Sequence, residues 1–279
     1  LDGRLQVDGE IRANGGTGVS GNYGGGSGGA ITIACRTFAG SGWLRANGAS
    51  GNSNGGGGGG RIALHFDGPL QAQSGGSVPR FQATGSTVAK WFHSESVKDY
   101  AHGSVYLSDL GFFAEGWPAW EGWLHAPTNR LDVAGDLTLA ACHAAFATVR
   151  TLTVGGNLTL GNAGKLFLAA DATAAPALPG AQLDVDGSIL IQSGGALYSW
   201  SHPTNGASVR IRAANLTVES GGAINASGRG FRGGSSRLAD DPDGPIADGY
   251  GPGGGKKGTS GSASYGGGGS YGGWGGDGY

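Results

Sequence analysis

Methionine is absent from this chain, cysteine occurs twice, and only 14% of the 279 residues are charged. The 18 lysines and arginines nearly balance the 20 aspartates and glutamates. No basic stripe is left to neutralise phosphates, so a nucleic-acid partner is not expected. The same balance excludes an electrostatic membrane anchor, and no apolar run approaches the roughly 20 residues of a spanning helix, so membrane insertion is not expected either. Two cysteines need histidines at matched spacing to hold structural zinc, and none has it. Cys35 and Cys142 lie in apolar, strand-like contexts. They could pair in an oxidising compartment or stay as two buried small apolar residues, and the sequence leaves both open. Without methionine, Leu1 is not a translation start, which leads to the expectation that a targeting segment or more of a longer polypeptide once preceded it.

Glycine fills the space the other residues leave: 62 of 279 positions, about three times its average usage. A disordered chain combines low hydrophobicity with high charge, whereas 38% of this one is hydrophobic. An ordered, glycine-dense fold is therefore expected.

A short phrase with alternating aliphatic residues recurs: LQVDGEIRA from Leu5, LDVAGDLTL from Leu131, LTVGGNLTL from Leu152 and LDVDGSILI from Leu183. The two-residue period is that of a strand with one buried face. In each copy a glycine follows the opening leucine by four positions, marking a bend or a close backbone approach. Spacings of 21 and 31 residues between the last three copies suit stacked coils, each of which needs a neighbour to bury its aliphatic face. The predicted fold is all-β: a glycine-rich β-solenoid, wound as a right-handed parallel β-helix, with an antiparallel β-sandwich as the alternative.

A longer unit links the two ends. AITIACRTFAGSGWLRANGASG, from Ala30, matches SVRIRAANLTVESGGAINASGRG, from Ser208, and LQVDGEIRANGGTG repeats its second half. A glycine-rich excursion follows each: Gly15 to Gly29, Gly48 to Gly60, and Gly228 to Tyr279. In stretches such as Gly55–Gly60 and Tyr271–Asp277 more than half of the residues lack side chains, which suits polyglycine-II-like strands layered beside the coils. The first two return directly into strands at Ala30–Ala34 and Arg61–Phe66; the third runs through YGGWGGDGY to the last residue. By this pattern a strand like the chain's own beginning should come next, supplied by another copy. Leu5, Val7 and Ile11 on one side and Tyr271, Trp274 and Tyr279 on the other are the expected assembly interface. Organisation follows the repeats: coils over 1–85, an aromatic irregular insert over 86–130, regular repeats over 131–227 and the glycine excursion over 228–279.

GGGSGGAITIA followed by LRANGASGNSNGGGGGGRIALHF resembles the glycine-rich parallel β-helix repeats of large secreted or surface proteins from environmental bacteria, over about residues 1–66 and 183–279. The resemblance implies an adhesin-like, extracellular or cell-surface setting, and it leaves function open.

The insert carries four of the seven tryptophans and three of the six histidines. Trp117, Trp120 and Trp123 recur every third residue beside Glu115 and Glu121. Packing of an irregular cap is the preferred reading, and stacking of the tryptophans on a polysaccharide is the alternative. His93, His102, His125, His143 and His202 show no metal-ligand spacing. The DPDG turn at Asp241–Gly244 lacks the distal glutamate of a calcium loop, and GGGKKGTS lacks the leading glycine of a phosphate loop. No catalytic, cofactor or metal residue is assigned. The expectation is a non-enzymatic, secreted structural subunit whose partners are copies of itself, joined head to tail; a surface adhesin or glycan-binding module is the alternative, and a polysaccharide-active enzyme a third.

Overall fold

The computed structural model describes residues 1–18, 24–51, 55–86, 102–110, 120–140, 143–146, 149–170, 180–234, 248–258, 266–270, 273 and 275–277. Among these the chain is a succession of short strands: β1 (Arg4–Gln6), β2 (Glu10–Arg12), β3 (Ala30–Ala34), β4 (Thr37–Ala39), β5 (Trp43–Arg45) and β6 (Arg61–His65). The helix α1 (Gly68–Ser74) precedes β7 (Arg80–Gln82), β8 (Ser104–Leu107), β9 (Trp120–His125), β10 (Arg130–Val133), β11 (Leu137–Ala140) and β12 (His143–Phe146). There follow β13 (Thr151–Val154), β14 (Leu158–Gly161), β15 (Lys165–Ala169), β16 (Ala181–Val185), β17 (Ser188–Ile191) and β18 (Ala196–Trp200). The last are β19 (Val209–Arg212), β20 (Asn215–Val218) and β21 (Ala223–Asn225). The fold is thus mostly β with parallel sheets, and the antiparallel alternative is not seen among the described pairings.

Two compact units divide the chain. The first comprises Leu1–Phe167, Asp184–Ala196 and Ala213–Ala223; the second comprises Leu168–Leu183, Leu197–Arg212 and Ile224–Tyr279.

In the first unit, like residues stack on like. Leu131 and Val133 lie opposite Leu152 and Val154, and Leu137 and Leu139 lie opposite Leu158 and Leu160, which lie opposite Ile189 and Ile191. All ten are buried. Toward the N-terminus the inward columns run Ile31–Ile62–Val105–Leu124 and Ile11–Leu44–Phe81–Trp120. Each recurring phrase is two strands and not one, because the chain turns a corner at its central glycine. A Cβ at Gly156 would strike the Asp136 carboxylate of the preceding segment. At these corners a side chain from one segment accepts the amide of the next. Asp136 accepts from Asn157 N at 2.7 Å and Asn157 from Ser188 N at 2.9 Å. Asn14 accepts from Asn47 N at 2.9 Å and Asn47 from Thr84 N at 3.0 Å. Each bond satisfies a backbone donor that the bend takes out of the strand ladder.

The glycine tracts are joined by the same means. Gly25 N donates to Gly55 O, Gly28 N to Gly58 O, Gly48 N to Thr84 O and Gly57 N to Ala49 O, at 2.8–3.0 Å. Backbone packs on backbone here: a Cβ at Gly60 would be driven into the Gly29 carbonyl. Where α1 replaces a strand, the buried amide of Gln71 completes the ladder. It donates to Phe38 O at 3.0 Å and accepts from Phe38 N at 2.8 Å. Asp67 caps the helix by accepting the Leu70 amide at 3.1 Å.

The second unit has its own bonds. Ala170 N donates to Trp200 O and Gly180 N to Ser208 O, both at 2.8 Å, and the Arg229 guanidinium sits 3.8 Å over the Trp200 ring. Its glycine-rich segment bonds to itself: Gly255 N to Gly268 O at 2.8 Å, Gly268 N to Gly276 O at 2.8 Å, and Gly275 N to Gly253 O at 2.6 Å.

Replacing Gln71 with leucine keeps the bulk but orphans both backbone groups of Phe38, and should cost about 1–3 kcal/mol. Urea unfolding followed by circular dichroism measures it; unchanged stability would show that Gln71 does not complete the ladder.

Candidate functional site

Two surfaces of the first unit carry unspent chemistry. The first is the end of a ladder. The order β11-β14-β17-β20 ends at β20, where Leu216 lies opposite Ile189 and Val218 opposite Ile191. Ile189 and Ile191 are 0% exposed, yet Leu216 is 50% and Val218 44% exposed. These are inward positions of the pattern, and among the described residues no further strand is stacked on them. Natural edge strands are blunted by charge, proline or a bulge; Asn215-Leu216-Thr217-Val218 has no charge and no proline. At the N-terminal edge β1 pairs with β4 and β2 with β5. There Leu5 and Ile11 are half-buried and Val7 is buried, and Asp8 is held below the ordinary carboxylate range by bonds from Gln6 and from Ser41. The other expected interface residues, Tyr271, Trp274 and Tyr279, lie outside the described residues.

The second surface is the outward side of β3, β6, β8 and β9. Ala30, Arg61, Ser104 and Trp123 stand in one register column, and Thr32, Ala63, Tyr106 and His125 in the next. Their segments are tied by Arg61 N to Gly29 O, Ser104 N to Gly60 O and Trp123 N to Gly103 O, each at 2.9 Å. An open groove of about 620 Å³ lies against this face, floored by Gly28, Gly29, Gly59, Gly60 and Gly103. Its side chains are Ala30, Arg61, His102, Ser104, Trp123 and His125. The Trp123 ring meets Phe167 at 6.5 Å, and His102 meets His143 at 5.9 Å. His65 and Tyr106 continue the aromatic face, with ring centroids 5.1 Å apart.

The three expected sugar-contact tryptophans therefore part company. Trp120 points inward, is 1% exposed and packs edge to face with Phe146 at 5.8 Å. Trp123 points outward and is half-buried, and Trp117 lies outside the described residues. Glu121 accepts a bond from Gln82 at 3.0 Å, and Glu115 is outside the described residues. Cys35 is a buried free thiol whose burial pushes its pKa up; Cys142 is outside the described residues. Among the described residues no three His, Cys, Asp or Glu side chains converge as a metal site would need. Lys256, from the GGGKKGTS stretch, is tied to Asp248 at 3.1 Å.

Arg61 and His125 were not singled out by sequence. Neither spacing nor composition marks them; strand register does, by bringing Arg61 and His125, 64 residues apart in the chain, into neighbouring columns. Burial, then the Arg61 charge, push the His125 imidazole below its ordinary value of 6.5. A depressed folded value means that the unfolded chain binds the proton more readily. The contribution of neutral His125 is fully present above pH 6.5 and is lost as pH falls through 6.5 toward the folded value. The melting temperature should therefore fall on the acid side of that pH, and His125→Gln should flatten the fall; an identical acid slope in the variant would contradict this.

No protein-family model, curated protein or solved structure matches the chain.

Proposed function

We propose that this chain is a non-catalytic structural subunit, a glycine-rich β-solenoid of right-handed parallel winding whose copies add head to tail into an extracellular or cell-surface fibre. The observation that carries the reading is the exposure of Leu216 and Val218 beside their buried register partners Ile189 and Ile191. The occupant of that edge is the β1–β2 segment of a second copy. Leu5-Gln6-Val7 repeats the inward spacing of Leu216-Thr217-Val218, and Leu5 already pairs with Phe38 in parallel register as a next segment should. Covering the exposed parts of Leu216 and Val218 is worth about 2–3 kcal/mol, to which the added backbone bonds contribute. Because the two joined surfaces differ, the contact is heterologous, and repeated as a strand-on-strand stack along one direction it extends into a filament. The glycine tracts, bonded in several directions from each segment, suit a polyglycine-II-like layer beside the coils.

Sedimentation and negative-stain microscopy of the purified chain test this. The unaltered protein should form fibres. The double substitution Leu216→Asp and Val218→Asp, at sites already exposed, should stay folded, remain monomeric, and shorten fibres when mixed in, because its β1–β2 edge still docks. Fibres of undiminished length in the double variant, or an unaltered chain that stays monomeric at high concentration, would overturn the reading.

A further inference from the structure

We propose that the outward groove on β3, β6, β8 and β9 is a binding site for an anionic polysaccharide, with Trp123 as the sugar-stacking platform and Arg61 as the anion anchor. The site uses a side surface of the first unit and does not depend on end-to-end stacking.

Four features of the groove converge on that ligand class. The volume of about 620 Å³ falls in the range of small-ligand sites. Among the described residues no aspartate or glutamate lines it, although acidic residues outnumber basic ones in the chain. The Arg61 side chain is exposed and makes no ion pair or hydrogen bond among the described residues, in contrast to Arg45 and Arg12, which are held by Glu10 at 2.6 and 2.9 Å. A planar guanidinium with unused donors is matched to a carboxylate or sulfate. Trp123 presents a half-buried ring, steadied against Phe167, on which the apolar face of a pyranose can stack.

Geometry adds the polymer. Arg61 and Trp123 are two register steps apart through Ser104, which at strand spacing is about 10 Å. That span suits two linked sugars, one on the ring and the charged substituent of its neighbour at Arg61. Ser104 stands between them, the backbone of Gly29, Gly60 and Gly103 lines the groove beside that column, and the groove's open form lets a polymer enter and leave along its length. Ser104 borders the path and offers a hydroxyl partner to sugar hydroxyls. His125, kept neutral by burial and by Arg61, can both donate and accept there near neutral pH.

Affinity electrophoresis of the full chain in gels containing polygalacturonate, dextran sulfate or neutral dextran tests the site. Retardation by polygalacturonate alone identifies a carboxylated sugar, and retardation by dextran sulfate alone a sulfated one. Trp123→Ala and Arg61→Gln should each weaken binding about tenfold, while Trp123→Phe keeps most of it. Arg80→Gln, which removes a cation stacked at 4.1 Å on Trp43 away from the groove, should change nothing. No retardation by either anion, equal retardation by dextran, or equal loss in Arg80→Gln and Arg61→Gln would overturn the proposal. Circular dichroism of each variant separates lost binding from lost fold.

Discussion

The backbone hydrogen bond between one segment and the segment a repeat away is the constraint to which the rest of the first unit answers. It sets the parallel register, and register sets which side chains touch. Once Leu131 stands over Leu152 and Leu158 over Ile189, a two-residue aliphatic period becomes a continuous buried column. Keeping that bond intact around corners demands two local devices. Asparagine and aspartate side chains cap the amides that a bend releases, as at Asp136, Asn157 and Asn47. Glycine is needed where backbones meet without room for a Cβ, as at Gly60 against Gly29. Glycine abundance here is a packing requirement of close backbone contact, offsetting the ordering entropy each glycine loses.

Much of this was legible in the residues. The strand phrases from Leu131, Leu152 and Leu183 read correctly because period, spacing and chemical type repeat together, and the returns into Ala30–Ala34 and into Arg61 fall where β3 and β6 begin. Other features were not legible, each for a physical reason. The central glycine announced a bend in each phrase, but not that its two halves pair in different sheets, which register with the neighbouring segments decides. Helix α1 has seven residues, too few to show a helical period, and is held by the Gln71 amide more than by its own preference. Trp120 and Trp123 share a motif by spacing, but an odd separation along a strand sends them to opposite faces, one into the core and one toward the groove. Arg61 gained significance only when register brought it two steps from Trp123.

A repeat that pairs with its neighbours has no intrinsic end, and two consequences meet in this chain. Toward the end of its ladder the inward pattern continues through Leu216 and Val218 with no further described strand above it, and the N-terminal β1 and β2 carry the same pattern from the other direction. The proposed stacking is the extension to a second copy of a rule that already holds within one. A different sheet displays the outward columns of β6, β8 and β9, and where those hold Trp123, Tyr106, His65 and Arg61 they form a face of aromatic rings and one unengaged cation. A fibre whose every subunit bears one weak sugar site would bind a polymer through many sites at once.

The central claim concerns the free edge of β20, and amide hydrogen exchange there reads it directly. Exchange at Leu216–Val218 should be fast in dilute protein and slow by orders of magnitude as concentration rises, while Ile189–Ile191 stays protected throughout. Exchange at β20 that is independent of concentration would contradict head-to-tail stacking.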